Sequence, residues 1–161
     1  MHTEIRKAHP ARELRSLLAF DRAVFRASDR FPPDYWKQVE SYWMLVGGVK
    51  VGCCAFQRNA DFREAGENVP MRGSLYIAST AIHPRFRTIG LGRMLKSWQI
   101  CFALRHRFTR IVTNVRAGNT AMLALNAEFG FKAIRTTPRY YSGPVDSTVV
   151  MERRFNSNSG K

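Results

Sequence analysis

The chain has 161 residues, enough for one domain with a sizeable core, and no apolar run approaches the roughly 18 residues of a membrane-spanning helix. It is 45% hydrophobic and carries 26 basic against 12 acidic residues, a formal net charge of +14. The balance points to a globular protein attracted to polyanions: a nucleotide cofactor, acidic peptides, RNA or a ribosome surface.

The N-terminus, Met1 to Arg6, has no apolar core of a signal peptide. Cys53, Cys54 and Cys101 are odd in number and form no C-x-x-C, which predicts buried thiols in a reducing, cytoplasmic setting. His2, His9, His83 and His106 lack ligand spacing, so no metal site is expected.

Residues 3–7 read as a first strand. From Pro10, the residues Leu14, Leu17, Leu18, Val24 and Phe25 give one helical face. Pro32-Pro33 interrupts, and Asp34-Tyr35-Trp36-Lys37 begins a short helix. Residues 41–46 and 49–57 form a hairpin around Gly47-Gly48. The polar segment 59–72 reads as a loop. A strand follows over 74–82, then a helix to about His106 whose apolar face is Leu91, Met94, Leu95, Trp98, Cys101 and Phe102. Residues 110–115 form a β-branched strand. Asn119 starts a short helix that Gly130 ends. Strands over 131–135 and 145–151 close the domain, taken as residues 1–155, and 156–161 read as a disordered tail. This order predicts a mixed sheet with helices on its faces.

The segment from His83 to Arg93 is the most informative. Its G-x-G, Gly90 and Gly92, stands where a strand gives way to a helix, flanked by arginines. Glycine lets backbone N–H groups approach a ligand, and a helix N-terminus is partially positive, so the turn suits a phosphate or pyrophosphate. A dinucleotide-binding turn is disfavoured, because the pattern is not G-x-G-x-x-G and no acidic residue follows at the expected distance.

Arg87-x-x-Gly90-x-Gly92 after a strand resembles the R/Q-x-x-G-x-G/A motif of the GCN5-related N-acetyltransferases (GNAT). The later run Asn119-Thr-Ala-x-x-Ala-Leu-Asn126-x-x-Phe-Gly130-Phe131 resembles that family's second motif, N-x-x-A-x-x-L-Y-x-x-x-G-F. Within the family the likeness is to N-terminal acetyltransferases, including the ribosomal-protein alanine type. Phe31-Pro32-Pro33-Asp34-Tyr35 resembles their substrate-side loop, and Arg139-Tyr140-Tyr141-Ser142 with the following strand resembles their tyrosine-bearing loop.

The resemblance implies a GNAT fold of the α/β (α+β) class, with a mixed sheet of six to seven strands and about four helices. It implies acetyl-CoA as donor. Thr88, Ile89, Gly90, Leu91, Gly92 and Arg93, with Arg87, would hold the pyrophosphate. Thr80, Ala81 and Ile82 would pair with the pantetheine arm through their backbone, and the Asn119 side chain would bond the same arm. Phe31, Pro32, Tyr35, Tyr140 and Tyr141 would bind the acceptor amine.

Two departures from the family pattern bear on the chemistry. Asn126 stands where the family's leaving-thiolate tyrosine does, and Asn114 where N-terminal acetyltransferases place a base. Asparagine does not titrate, so these two would orient groups and proton handling would pass to Tyr76, Tyr141, a neighbouring tyrosine or water. The expected activity is acetyl transfer to a primary amine, a peptide N-terminus or a small molecule. The alternatives are a CoA-binding module with weak or no catalysis and an acceptor associated with RNA or the ribosome. Nothing in the sequence sets the oligomeric state or suggests a membrane partner.

Overall fold

A computed structural model describes residues 2–64 and 68–156. The expected order of elements is found. β1 is Thr3–Lys7, α1 Pro10–Val24, α2 Pro33–Gln38, β2 Glu40–Val46 and β3 Val49–Asp61. β4 is Val69–Ile82, α3 Leu91–Arg105, β5 Arg110–Arg116, α4 Thr120–Glu128, β6 Lys132–Tyr141 and β7 Asp146–Arg154. The seven strands form one sheet in the order β1-β2-β3-β4-β5-β7-β6, all antiparallel neighbours except the parallel pair β4–β5. The architecture is the α/β (α+β) GNAT fold.

Strand alternation distributes the core to both faces. Trp43, Leu45, Cys53 and Ala55 meet Leu17 of α1 and Trp36 of α2 on one face. Met44, Cys54 and Phe56 meet Leu91, Leu95 and Phe102 of α3 on the other. Trp36 and Trp43 are 2% and 0% exposed. Side chains of this size contribute roughly 2–3 kcal/mol each by burial.

Several expectations need correction. The segment 59–72 is not one loop: β3 runs on to Asp61 and β4 begins at Val69, because Ala60 and Asp61 pair with Pro70 and Val69. β6 continues past residue 135 to Tyr141, so Arg139, Tyr140 and Tyr141 lie on a strand end rather than in a loop. Cys53 and Cys54 are buried free thiols, but Cys101 is exposed. The buried face of α3 is rotated from the expected one. Met94 is 45% exposed, while Lys96 and Gln99 are buried among Leu91, Leu95, Ile100, Phe102 and Ala103. Of the tail expected at 156–161, residues 157–161 lie outside the described residues.

Among the described residues no helix is long and apolar enough to cross a membrane, and no group of His, Cys, Asp or Glu could hold a metal ion.

Candidate active site

β4 and β5 are hydrogen-bonded neighbours only over Ser74–Ile77 and Arg110–Thr113. On the other side of β4 the register jumps. Phe56 pairs with Ile77 and Ala55 with Ser79, so Ala78 is the extra residue of a bulge. Beyond it β4 keeps β3 as its neighbour and parts from β5, while Asn114, Val115 and Arg116 pair with β7 alone. The result is a wedge inside the sheet. Thr113 closes its apex by donating its hydroxyl to the Ile77 carbonyl at 3.0 Å. Thr80, Ala81 and Ile82 form its β4 wall with no strand neighbour on that side.

At the open end of β4 the chain makes the turn picked out from sequence. His83 accepts the Arg85 N–H on Nδ1 at 3.2 Å and holds a short 3₁₀ turn over Pro84–Phe86. Arg87 folds back, its Nε donating to the Ile82 carbonyl at 3.1 Å. Thr88 and Gly90 take positive φ, 69° and 85°, and Gly90 is the N-cap of α3 without side-chain capping. The first-turn N–H groups of this 15-residue helix, Leu91, Gly92 and Arg93 among them, therefore have no capping side chain at the mouth of the wedge. Ile89 is 59% exposed. Arg93 is tied to Glu128 in a two-bonded ion pair that joins the start of α3 to the end of α4. A turn with left-handed residues, an uncapped helix start and an unpaired strand wall fits a pyrophosphate followed by an extended amide-bearing arm.

Asn119 caps α4, accepting the Met122 N–H on Oδ1 at 3.2 Å. Its Nδ2 remains as a donor for a ligand. Asn126 is fully buried. Its Nδ2 donates to Met151 Sδ at 3.6 Å and its Oδ1 has no partner among the described residues. The amide keeps a second N–H, so the bond to Met151 still leaves one donor for a departing sulfur.

Tyr76, Asn114 and Tyr141 meet in one network where β5 leaves β4. The Tyr76 hydroxyl donates to Asn114 Oδ1 at 2.7 Å. Asn114 Nδ2 donates to the Tyr141 hydroxyl at 3.0 Å and to Thr148 Oγ1 at 3.3 Å. Burial holds the Tyr76 hydroxyl well above its ordinary pKa and raises that of Tyr141. Both are neutral near pH 7, so they act as hydrogen-bond donors and acceptors and not as bases.

The expected acceptor residues gather around this network. Phe31 and Tyr35 pack edge to face with centroids 4.5 Å apart, beside the α2 N-cap Pro32. Tyr140 and Tyr141 pack edge to face at 4.8 Å. Tyr35 accepts from Gln57 Nε2 at 3.3 Å, and burial pushes its pKa up to about 12. Asp21, 4% exposed, accepts the Phe31 N–H at 2.8 Å, and desolvation raises its pKa to about 6.

Sequence reading missed four residues of this constellation. Phe62 lies with its ring against both Tyr76 and Tyr140, at 5.7 Å from each. Thr148 completes the Asn114 network. Arg116 pairs with Asp29 at 2.7 Å, donates to the Pro144 carbonyl at 2.7 Å, and lies 4.4 Å from the Tyr141 ring centroid. None has a local sequence signal, since each works through partners distant in the chain. Phe62 also sits in the segment read as a loop.

Residues 11–131 match the acetyltransferase (GNAT) family. No curated protein matches the sequence. Among solved structures, the chain is similar to the ribosomal-protein-S18-alanine N-acetyltransferase from Escherichia coli, with a TM-score of 0.80, 14% identity and 99% of each chain covered. It is also similar to Arabidopsis thaliana Naa50 in complex with the bisubstrate analogue CoA-Ac-MVNAL, with a TM-score of 0.78, 18% identity, and 96% of this chain and 100% of that one covered. A ribosomal-protein-alanine N-acetyltransferase from Brucella melitensis gives a TM-score of 0.72 at 20% identity, covering 94% of this chain and 99% of the other. Identities this low speak for the fold alone, but the family match spans most of the sequence. The chain belongs to the GNAT acetyltransferase family.

Proposed function

We propose that this acetyltransferase moves an acetyl group from acetyl-CoA to the N-terminal α-amine of a peptide or protein. The observation that carries the reading is the Tyr76–Asn114–Tyr141 network at the inner end of the wedge, framed by Phe31 and Tyr35 on one side and Tyr140 and Tyr141 on the other. The similar structures include proteins described as acting on a ribosomal protein's alanine, or bound to a peptide-bearing CoA analogue.

Acetyl-CoA supplies a thioester open to attack by a neutral amine. The turn from Arg87 to Arg93 holds its pyrophosphate, the β4 wall at Thr80, Ala81 and Ile82 aligns its arm, and the Asn119 Nδ2 adds a donor. Asn114 fixes the Tyr141 hydroxyl by donating to it, and with the Tyr141 proton given to Thr148 Oγ1 at 3.3 Å the oxygen's second lone pair is left to accept an N–H of the incoming amine, whose own lone pair stays free to attack. Tyr76 completes the arrangement through Asn114 Oδ1. With no titrating base in the network, positioning supplies most of the rate enhancement and solvent takes the amine proton.

The experiment follows thiol release with peptides of varied first residue, each with a free or a formylated N-terminus and an internal lysine. Turnover only with the free N-terminus supports the reading. Turnover only through lysine, or only with small amines, overturns the acceptor class.

A second reading, CoA binding with little catalysis, is favoured by the two asparagines and by the complete burial of Asn126. Tight CoA binding without turnover on any amine would establish it.

A further inference from the structure

The net charge of +14 is not spread evenly, and its composition is uneven too: 20 of the 26 basic residues are arginine. On α1, Arg12, Arg15 and Arg22 are all exposed, and Arg26 and Arg30, also exposed, continue beyond the helix end toward Phe31. At 100° per residue the three helical arginines fall with Ser16, Ala19 and Ala23 within an arc of about 120°. Leu17 and Asp21, the buried residues of α1, lie on the opposite side. The arginines thus point directly away from the sheet, with only small side chains between them.

None of the five takes part in an ion pair among the described residues. The nearby carboxylates are engaged elsewhere. Glu13 serves Arg6 and Lys50, Asp29 serves Arg116, and Asp21 is buried against the Phe31 N–H. A row of unneutralised guanidinium groups along about 15 Å of helix, from Arg12 to Arg22, is a surface made for phosphates.

We propose that the outer face of α1 docks on the sugar–phosphate backbone of double-helical RNA. Three features select that partner. No large apolar side chain is exposed on α1, so the face lacks what a helix needs to lie in a membrane interface. It has no aromatic residue on its outer arc for stacking unpaired bases. It carries no Asn or Gln to read base edges in the DNA major groove, and the narrow DNA minor groove does not admit a helix. The wide, shallow minor groove of A-form RNA accepts a flat helical face that touches phosphates and 2′-hydroxyls. The surface is independent of the acetyl-transfer reading.

The test measures binding of the intact protein to a 20-base-pair RNA duplex by fluorescence anisotropy between 50 and 200 mM salt. About four phosphate contacts predict a slope of log K against log salt near −4. The variant R12A/R15A/R22A is expected to bind at least tenfold more weakly at 100 mM salt, with a slope shallower by about 2 to 3. The variant R72A/R105A/K132A removes the same charge from exposed positions off α1 and is expected to stay within threefold of the parent. Equal losses in the two variants would reduce the effect to bulk charge and overturn the proposal. So would a DNA duplex bound as tightly as RNA, or phosphatidylserine vesicles or polyglutamate bound through these arginines in preference to RNA. Circular dichroism melting checks that both variants fold.

Discussion

Arg116 and Asp29 lie 87 positions apart in the chain and meet in a bidentate ion pair, with Nη2 at 2.7 and 3.0 Å from the two carboxylate oxygens. The same guanidinium donates to the carbonyls of Ser142 and Pro144 and covers the Tyr141 ring. One side chain from β5 therefore holds together the segment before Phe31 and the turn after Tyr141, the two sides of the proposed acceptor groove. Asp29→Asn is expected to raise KM for the acceptor about tenfold while leaving KM for acetyl-CoA within twofold. Both side chains are more than four-fifths buried, so a loss of about 1–3 kcal/mol in stability should accompany the change. Initial-rate kinetics over both substrates, with a thermal melt, check both parts.

The network around Asn114 sets an expectation for pH. Because burial holds Tyr76 and Tyr141 neutral across the working range, neither contributes a limb near neutrality. The rate should rise through a single limb near the pKa of the acceptor's own α-amine, about 7.7–8.0. Tyr141→Phe should lower kcat about tenfold and Asn114→Ala about a hundredfold, with that limb unmoved. A limb that disappears in either variant would identify the mutated network as the base and contradict the positioning role.

The turn before α3 makes a conformational demand. Gly90 has φ 85°, in the left-handed region that side chains rarely adopt, although a Cβ there would meet nothing within 4 Å. Gly90→Ala is therefore strained without being crowded. The expected result is about a tenfold weaker affinity for CoA, read by calorimetry, with stability lowered by only about 1 kcal/mol.

Lys96 is 1% exposed and faces Phe131 with Nζ 5.2 Å from the ring centroid, and no carboxylate pairs with it among the described residues. Desolvation lowers its pKa from 10.5 to about 8. The fold prefers the neutral form, so the stability this group contributes is present above pH 10.5 and is lost as pH falls through 8. Lys96→Met should raise the stability at pH 7 by about 2–3 kcal/mol, and the difference should shrink toward zero by pH 10.5. Denaturant melts at the two pH values measure it.

Asp21 gives the opposite pH range. Its pKa is raised from 3.8 to about 6 by desolvation, so the cost of the carboxylate grows as pH rises from about 4 to 6 and is constant above. Asp21→Asn keeps an acceptor for the Phe31 N–H. It is expected to be more stable than the parent by about 2 kcal/mol at pH 7 and equal to it at pH 3.5. Melts across that range read the convergence directly.

Features encoded in contiguous residues were legible in the sequence. The turn from His83 to Gly92 announces itself through its glycines, and the second motif through Asn119 and Gly130. Long-range contacts were not. Phe62 reaches Tyr76 only because β3 and β4 extend beyond where their polar side chains suggested, and Arg116 finds Asp29 only in the folded sheet. The helix α3 was misread in phase. Apolar Met94 and Cys101 suggested one face, yet Lys96 and Gln99 are buried instead, with Gln99 Nε2 donating to Thr80 Oγ1 at 2.8 Å. Periodicity weighs a residue by its polarity, and here tertiary packing overrode it. Tyr76, Asn114 and Tyr141 were named separately for their chemistry, and the structure brings them into one hydrogen-bonded set.

The bulge at Ala78 places an edge inside the sheet rather than at its border. An exposed strand edge ordinarily recruits strands from other molecules. The bare stretch of β4 from Ser79 to Ile82 is instead an edge inside the sheet, paired with β3 on one side and facing the wedge on the other. The amide hydrogens of that stretch that face away from β3 should exchange rapidly until a ligand arrives to complete the ladder.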